Sequence, residues 1–149
     1  TLGVTKGSFY HHFRNREAFV TALLTYWEET LTEEIISASE SKETLLDRIN
    51  ELTNLTTSRI AIKMEVAIRA WALTNPQVRI YQKRVDERRL AYLNQLTSQL
   101  PGNVAEAELL AKMLFAIYVG AQQMIPPIQS EELRGIYDYI KQLTVINKL

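Results

Sequence analysis

The chain has 149 residues, 46% of them hydrophobic, with five Gly and four Pro, which permits a sizeable buried core and argues against disorder. The absence of cysteine excludes disulfides, thiolate zinc sites and cysteine nucleophiles together. The formal net charge of zero hides an asymmetry: residues 1–16 hold Lys6, Arg14 and Arg16 and no acid, net +3, whereas the remainder holds 14 basic and 17 acidic side chains, net −3.

In chain order, the first expected element is a short helix from Lys6 to Phe13, with Thr5 at its N-cap after the turn residues Gly3 and Val4. Phe9 and Phe13, four apart, share one face and would pack against the next helix, leaving Lys6, Ser8, Tyr10, His11 and Arg14 mainly on the others. An apolar back and a cationic, hydroxyl-bearing front suit a helix that reads a DNA major groove. Gly7 costs about 1 kcal/mol of helix propensity relative to Ala, a cost that fits a backbone in close approach to a groove wall.

A long helix over about residues 15–37 follows, capped by Asn15, with Glu17 in its first turn and Val20, Leu23, Leu24, Trp27, Leu31 and Ile35 as its apolar stripe. Ser41 is the expected cap of a helix whose face is Leu45, Ile49 and Leu52. The Thr-rich "TNLTTS" predicts a joint near Ser58, followed by the helix "RIAIKMEVAIRAWAL". Asn75-Pro76 predicts a stop and a restart, Pro76 taking the first helical position and Asn75 capping it, with that helix running to about Leu100. Asn103 and Glu106 have capping-box spacing for a helix over about 104–124. Pro126-Pro127 breaks it, and Ser130 starts a last helix. The expected fold class is all-α, with about seven helices and no internal repeat.

The segment "GVTKGSFYHHFRNREAFVTALL" resembles the second half of the helix-turn-helix of the TetR family of transcriptional regulators: turn, recognition helix and start of the connecting helix. "AIRAWALTNPQVRIYQKRVDERRLAYL" is similar to part of that family's regulatory domain. The family places two helices before this point, so the resemblance implies a chain truncated within the motif, one that binds DNA poorly as it stands. It further implies residues 1–38 as the remnant of the DNA-binding head plus connecting helix, and 39–149 as a ligand-binding and dimerisation domain. By the same resemblance Thr5, Lys6, Tyr10, His11 and Arg16 are candidates for phosphate contact, and Gly7 and Ser8 for base edges.

His11 and His12 point about 100° apart on a helix and no other His exists, so a metal site is not expected. No P-loop, glycine-rich cofactor turn or paired nucleophile and base is present, so neither an enzyme nor a cofactor is expected. The run "LLAKMLFAIYVGAQQMI" is interrupted by Lys112 and two Gln and falls short of a membrane span, so a soluble, cytoplasmic protein is expected.

Two site expectations concern the body. Glu65 and Arg69, four apart, read either as a surface ion pair or as groups facing a cavity, where Met64, Ile68, Arg69, Trp71, Tyr92, Phe115, Tyr118 and Gln122 would form a ligand pocket. Met113, Ala116, Ile117 and Gly120 on one helix, with Leu133, Ile136, Tyr137, Ile140 and Leu143 on the last, make an expected homodimer interface of four-helix-bundle type, as in the family; the alternative is burial within their own chain. The expected function is a ligand-responsive regulator that binds double-stranded operator DNA, a repressor released by a small apolar effector. The competitors are a helical small-molecule-binding protein and a DNA-binding regulator that senses no ligand.

Overall fold

The computed structural model describes residues 14–57 and 59–146, with side chains at 14–57 and 62–143. Among the described residues the chain is all-helical, with six helices; the expected recognition helix Lys6–Phe13 and the His11-His12 pair lie outside them.

Helix α1 opens where Asn15, in extended conformation, accepts a hydrogen bond from the Ala18 N–H at 2.8 Å. It runs as Arg16–Glu28, continues through a π-helical segment Glu29–Glu33, and ends as Glu34–Glu40. At 1.5 Å per residue the rod is roughly 37 Å long. The π segment alters the expected stripe. Burial steps from Val20 to Leu24 to Trp27, then jumps five residues to Thr32 before resuming at Ile35, Ile36 and Ser39. Leu31, expected on the stripe, is only half-buried, and Thr32 takes the buried place.

Helix α2 is Leu45–Thr56, and its cap is Thr44 rather than Ser41. Thr44 Oγ1 accepts from the Asp47 N–H at 3.1 Å and donates to the Asp47 carboxylate at 2.7 Å. Ser41 instead closes α1, its hydroxyl donating to the Ala38 carbonyl at 2.7 Å. Non-neighbouring bonds set this turn: Ser39 Oγ donates to the Arg48 carbonyl at 2.8 Å, and Arg48 Nε donates to the Lys42 carbonyl at 2.9 Å.

Helix α3, Arg59–Ala72, follows the expected joint. Helix α4, Pro76–Thr97, begins with Pro in the first turn and Asn75 accepting from the Val78 N–H at 3.2 Å. It stops three residues before the expected end, because Gln99 and Leu100 bond three residues back, to Leu96 and Thr97, and tighten the last turn. Pro101 and Gly102 complete the break, and Gly102 adopts φ 145°, which a side chain would strain. Helix α5, Val104–Gln123, has the expected Asn103 cap on the Glu106 N–H at 3.0 Å. Helix α6 is Ser130–Ile146. No described helix is long and apolar enough to cross a membrane.

Helix α4 is the central element. Its N-terminal half buries Val78 and Val85 against Val20, Leu24 and Trp27 of α1 and Ile68 and Ala72 of α3. Its C-terminal half sets Tyr92 and Leu96 against Ile36, with Leu45, Ile49 and Leu52 of α2 packed alongside. Each fully buried aliphatic side chain contributes roughly 1.5–3 kcal/mol of transfer free energy. The first cluster holds the N-terminal half of α1 against the body, and the second holds its far end.

Candidate functional site

The second cluster forms part of the wall of an apolar cavity of about 130 Å³. That is close to the roughly 150 Å³ apolar cavity known to accept benzene. Leu31, Ile35 and Ile36 come from α1, Ile49 and Leu52 from α2, Leu93 and Leu96 from α4, Leu110, Leu114 and Phe115 from α5 and Ile140 from α6. Polar atoms enter the wall through Thr32, Thr53, Thr56, Thr97, Arg89, Lys141 and three tyrosines, Tyr92, Tyr118 and Tyr137.

Arg89 organises the polar side. Its Nη1 and Nη2 donate to the two Glu65 oxygens at 2.8 and 2.6 Å, its Nε donates to Thr32 Oγ1 at 2.9 Å, and Nη2 also reaches the Leu31 carbonyl at 3.0 Å. Trp27 Nε1 donates to the same Glu65 carboxylate at 3.0 Å, and the guanidinium lies 5.6 Å from the Trp27 ring centre. Burial alone would lower the Arg89 pKa, but the hydrogen bonds and charge of Glu65 outweigh it and hold the guanidinium charged. One buried arginine thus ties α4 and α3 to the π segment of α1.

The Glu65–Arg69 pair expected from the sequence does not form. Glu65 is 1% exposed and belongs to Arg89. Arg69 makes a two-pronged ion pair with Asp86, at 2.9 and 2.8 Å, and Gln82 Nε2 donates to the same carboxylate at 2.9 Å. The i,i+4 rule assumes an exposed helix; here α4 brings better-placed partners to both side chains.

Of the expected pocket residues, Tyr92, Phe115 and Tyr118 line the cavity, and the Phe115 and Tyr118 rings stack with centres 6.3 Å apart. Met64, Ile68 and Trp71 pack in the first core cluster and do not reach it, nor does Arg69. Gln122 is buried one turn beyond Tyr118, with its Nε2 outside full hydrogen-bond geometry to any group. Burial, followed by the Glu65 charge, pushes the Tyr118 hydroxyl up to about 12, with Arg89 and the Gln122 amide working the other way. Burial also raises Tyr137.

The expected interface divides. Leu133 is fully buried in its own chain, so it is a core residue and not an interface residue. Tyr137 and Ile140 line the cavity, which is the intrachain alternative for that face of α6. Met113, Ala116, Gly120 and Leu143 are exposed, and Ile117 and Ile136 half-buried. Arg16 is exposed in the first turn of α1, while Thr5, Lys6, Gly7, Ser8, Tyr10 and His11 lie outside the described residues.

Sequence reasoning missed Arg89, Thr32 and the leucines of α5. A signal for Arg89 exists: Val78, Gln82, Val85, Arg89, Tyr92 and Leu96 alternate steps of four and three along α4. Polar residues on such a stripe must face other polar groups inside. No family model, curated protein or solved structure matches the chain.

Proposed function

We propose that this chain is the sensor body and connecting helix of a ligand-responsive DNA-binding regulator of TetR type, acting in the cytoplasm as a homodimer and released from operator DNA by a small apolar effector. The observation that carries this reading is the course of α1. The helix that begins at Asn15, directly after the cationic segment 1–14, ends as a wall of the cavity through Leu31, Thr32, Ile35 and Ile36. A molecule in the cavity therefore bears on the same rod that joins the head.

The π segment sits where that rod meets the cavity, and π segments occur often at functional sites. A ligand that fits one register better than another would shift the angle or phase of the helix towards the head. Effector coupling of this kind is typically about 1–3 kcal/mol, a 5–150-fold change in DNA affinity. Two heads are needed to read successive major-groove faces, about 34–36 Å apart. The exposed apolar line of Leu109, Met113, Ala116 and Gly120 on α5, and the exposed Tyr139 and Leu143 on α6, support a second copy as the partner.

The test is to titrate the full gene product against duplex DNA from beside its own gene at about 50 and 200 mM salt, next to Lys6→Ala and Tyr10→Ala. Site-selective, salt-sensitive binding weakened by both substitutions is expected. Binding that ignores salt and both substitutions would refute the assignment of the head.

A further inference from the structure

The chemistry of the cavity wall narrows what it can hold, an inference that rests on reading the cavity as the effector site. Its two cations are already matched. Arg89 is neutralised by Glu65, and Lys141 Nζ meets Asp138 at 2.7 Å and the Asn50 side-chain oxygen at 3.0 Å. Neither of those carboxylates is in the lining, so an entering cation finds no anion and an entering anion finds no unmatched cation. A net charge would lose its hydration with no partner gained.

Most hydroxyl hydrogens of the wall are also committed. Thr53 donates to the Ile49 carbonyl at 2.8 Å, Thr56 to Leu52 at 2.7 Å, Thr97 to Ala107 at 2.9 Å, and Tyr92 to Ser39 Oγ at 2.7 Å. Three wall hydroxyls have no acceptor for their hydrogen among the described residues: Thr32, whose oxygen takes Arg89 Nε, Tyr118, whose oxygen faces the Gln122 amide, and Tyr137 on the α6 side; of the three, only Tyr137 also has no described donor at its oxygen. The Tyr137 phenol stays protonated at neutral pH, so its hydrogen is available to an acceptor on an occupant.

We infer that the cavity takes a compact, uncharged, largely apolar molecule carrying one hydrogen-bond acceptor, a carbonyl or ether oxygen, and that Tyr137 receives the acceptor while the leucines and isoleucines of α1, α2 and α5 enclose the rest. A neutral ketone fits these terms; a carboxylate of the same size does not.

Acetophenone, toluene and benzoate separate the possibilities, each titrated calorimetrically at pH 7 into the 149-residue chain and its Tyr137→Phe variant. Acetophenone is expected to bind and to weaken about 3–10-fold in Tyr137→Phe, while toluene is unaffected and so reports an intact cavity. Benzoate is expected to bind at least a hundredfold more weakly than acetophenone. Benzoate binding as tightly as acetophenone would overturn the neutral-ligand assignment, and equal effects of Tyr137→Phe on acetophenone and toluene would overturn the role of Tyr137. Should Tyr137→Phe not fold, the acetophenone-to-benzoate ratio of the unaltered chain still decides the class. Failure of all three probes to bind would overturn the effector-site reading itself, whereas toluene binding alone would leave that reading standing and sink the acceptor.

Discussion

Glu65 is the buried carboxylate that holds Arg89 and Trp27 together. Its two oxygens receive Arg89 twice and Trp27 once, all within a region that excludes water. Replacing it by Gln keeps the shape and removes the charge, which leaves a buried guanidinium uncompensated. Glu65→Gln is therefore expected to lower unfolding free energy by about 3–5 kcal/mol, measured by urea denaturation. The double variant Glu65→Leu/Arg89→Met should recover most of that loss, because paired removal takes away the stranded charge as well. If the single and double variants are equally unstable, the pair is not what holds this region. Neither partner of Glu65 was legible from its neighbours in sequence, where Arg69 at four residues is the natural choice. The choice is made by Arg89, 24 positions away on another helix, with a fork geometry that a carboxylate fits twice.

Among the elements, caps show how far local sequence reaches. Asn15, Asn75 and Asn103 each accept from the N–H three residues on, and each is identifiable from a window of four residues. Helix α2 is the instructive exception, since Ser41 and Thr44 are both competent caps. The bonds of Ser39 and Arg48 across the turn select Thr44, and such bonds are invisible to a local rule. Thr44→Ala is expected to cost about 1 kcal/mol and Ser41→Ala less than about 0.5 kcal/mol, compared by thermal or urea unfolding. The reverse order would assign the cap to Ser41. The π segment of α1 is another feature no periodicity announces, because the stripe Val20 to Ile35 reads equally well as continuous α-helix. It is visible only as the buried Thr32 held by Arg89.

For the whole molecule, the proposed dimer makes the sharpest claim. A Cβ built at Gly120 meets nothing within 4 Å, so a side chain there is harmless to the isolated chain. Gly120→Glu would place a charge in the exposed apolar line of α5, and it also favours the helix by up to about 1 kcal/mol. The expected outcome in analytical ultracentrifugation is a shift from dimer to monomer with the helical circular dichroism retained. A dimer that survives Gly120→Glu would move the interface elsewhere.

The helical class, the Asn caps, the breaks at Asn75-Pro76 and Pro126-Pro127 and the all-helical layout were determined by the sequence by itself, since each depends on interactions within about four residues along the chain. Tertiary structure alone decided which faces of those helices meet. It sent Leu133 inward, turned Tyr137 and Ile140 from an expected interface to the cavity, and kept Met64, Ile68 and Trp71 in a separate core. An apolar stripe records that a face must be covered. What covers it depends on the angles and offsets at which whole helices pack, and these are set by many side chains at once.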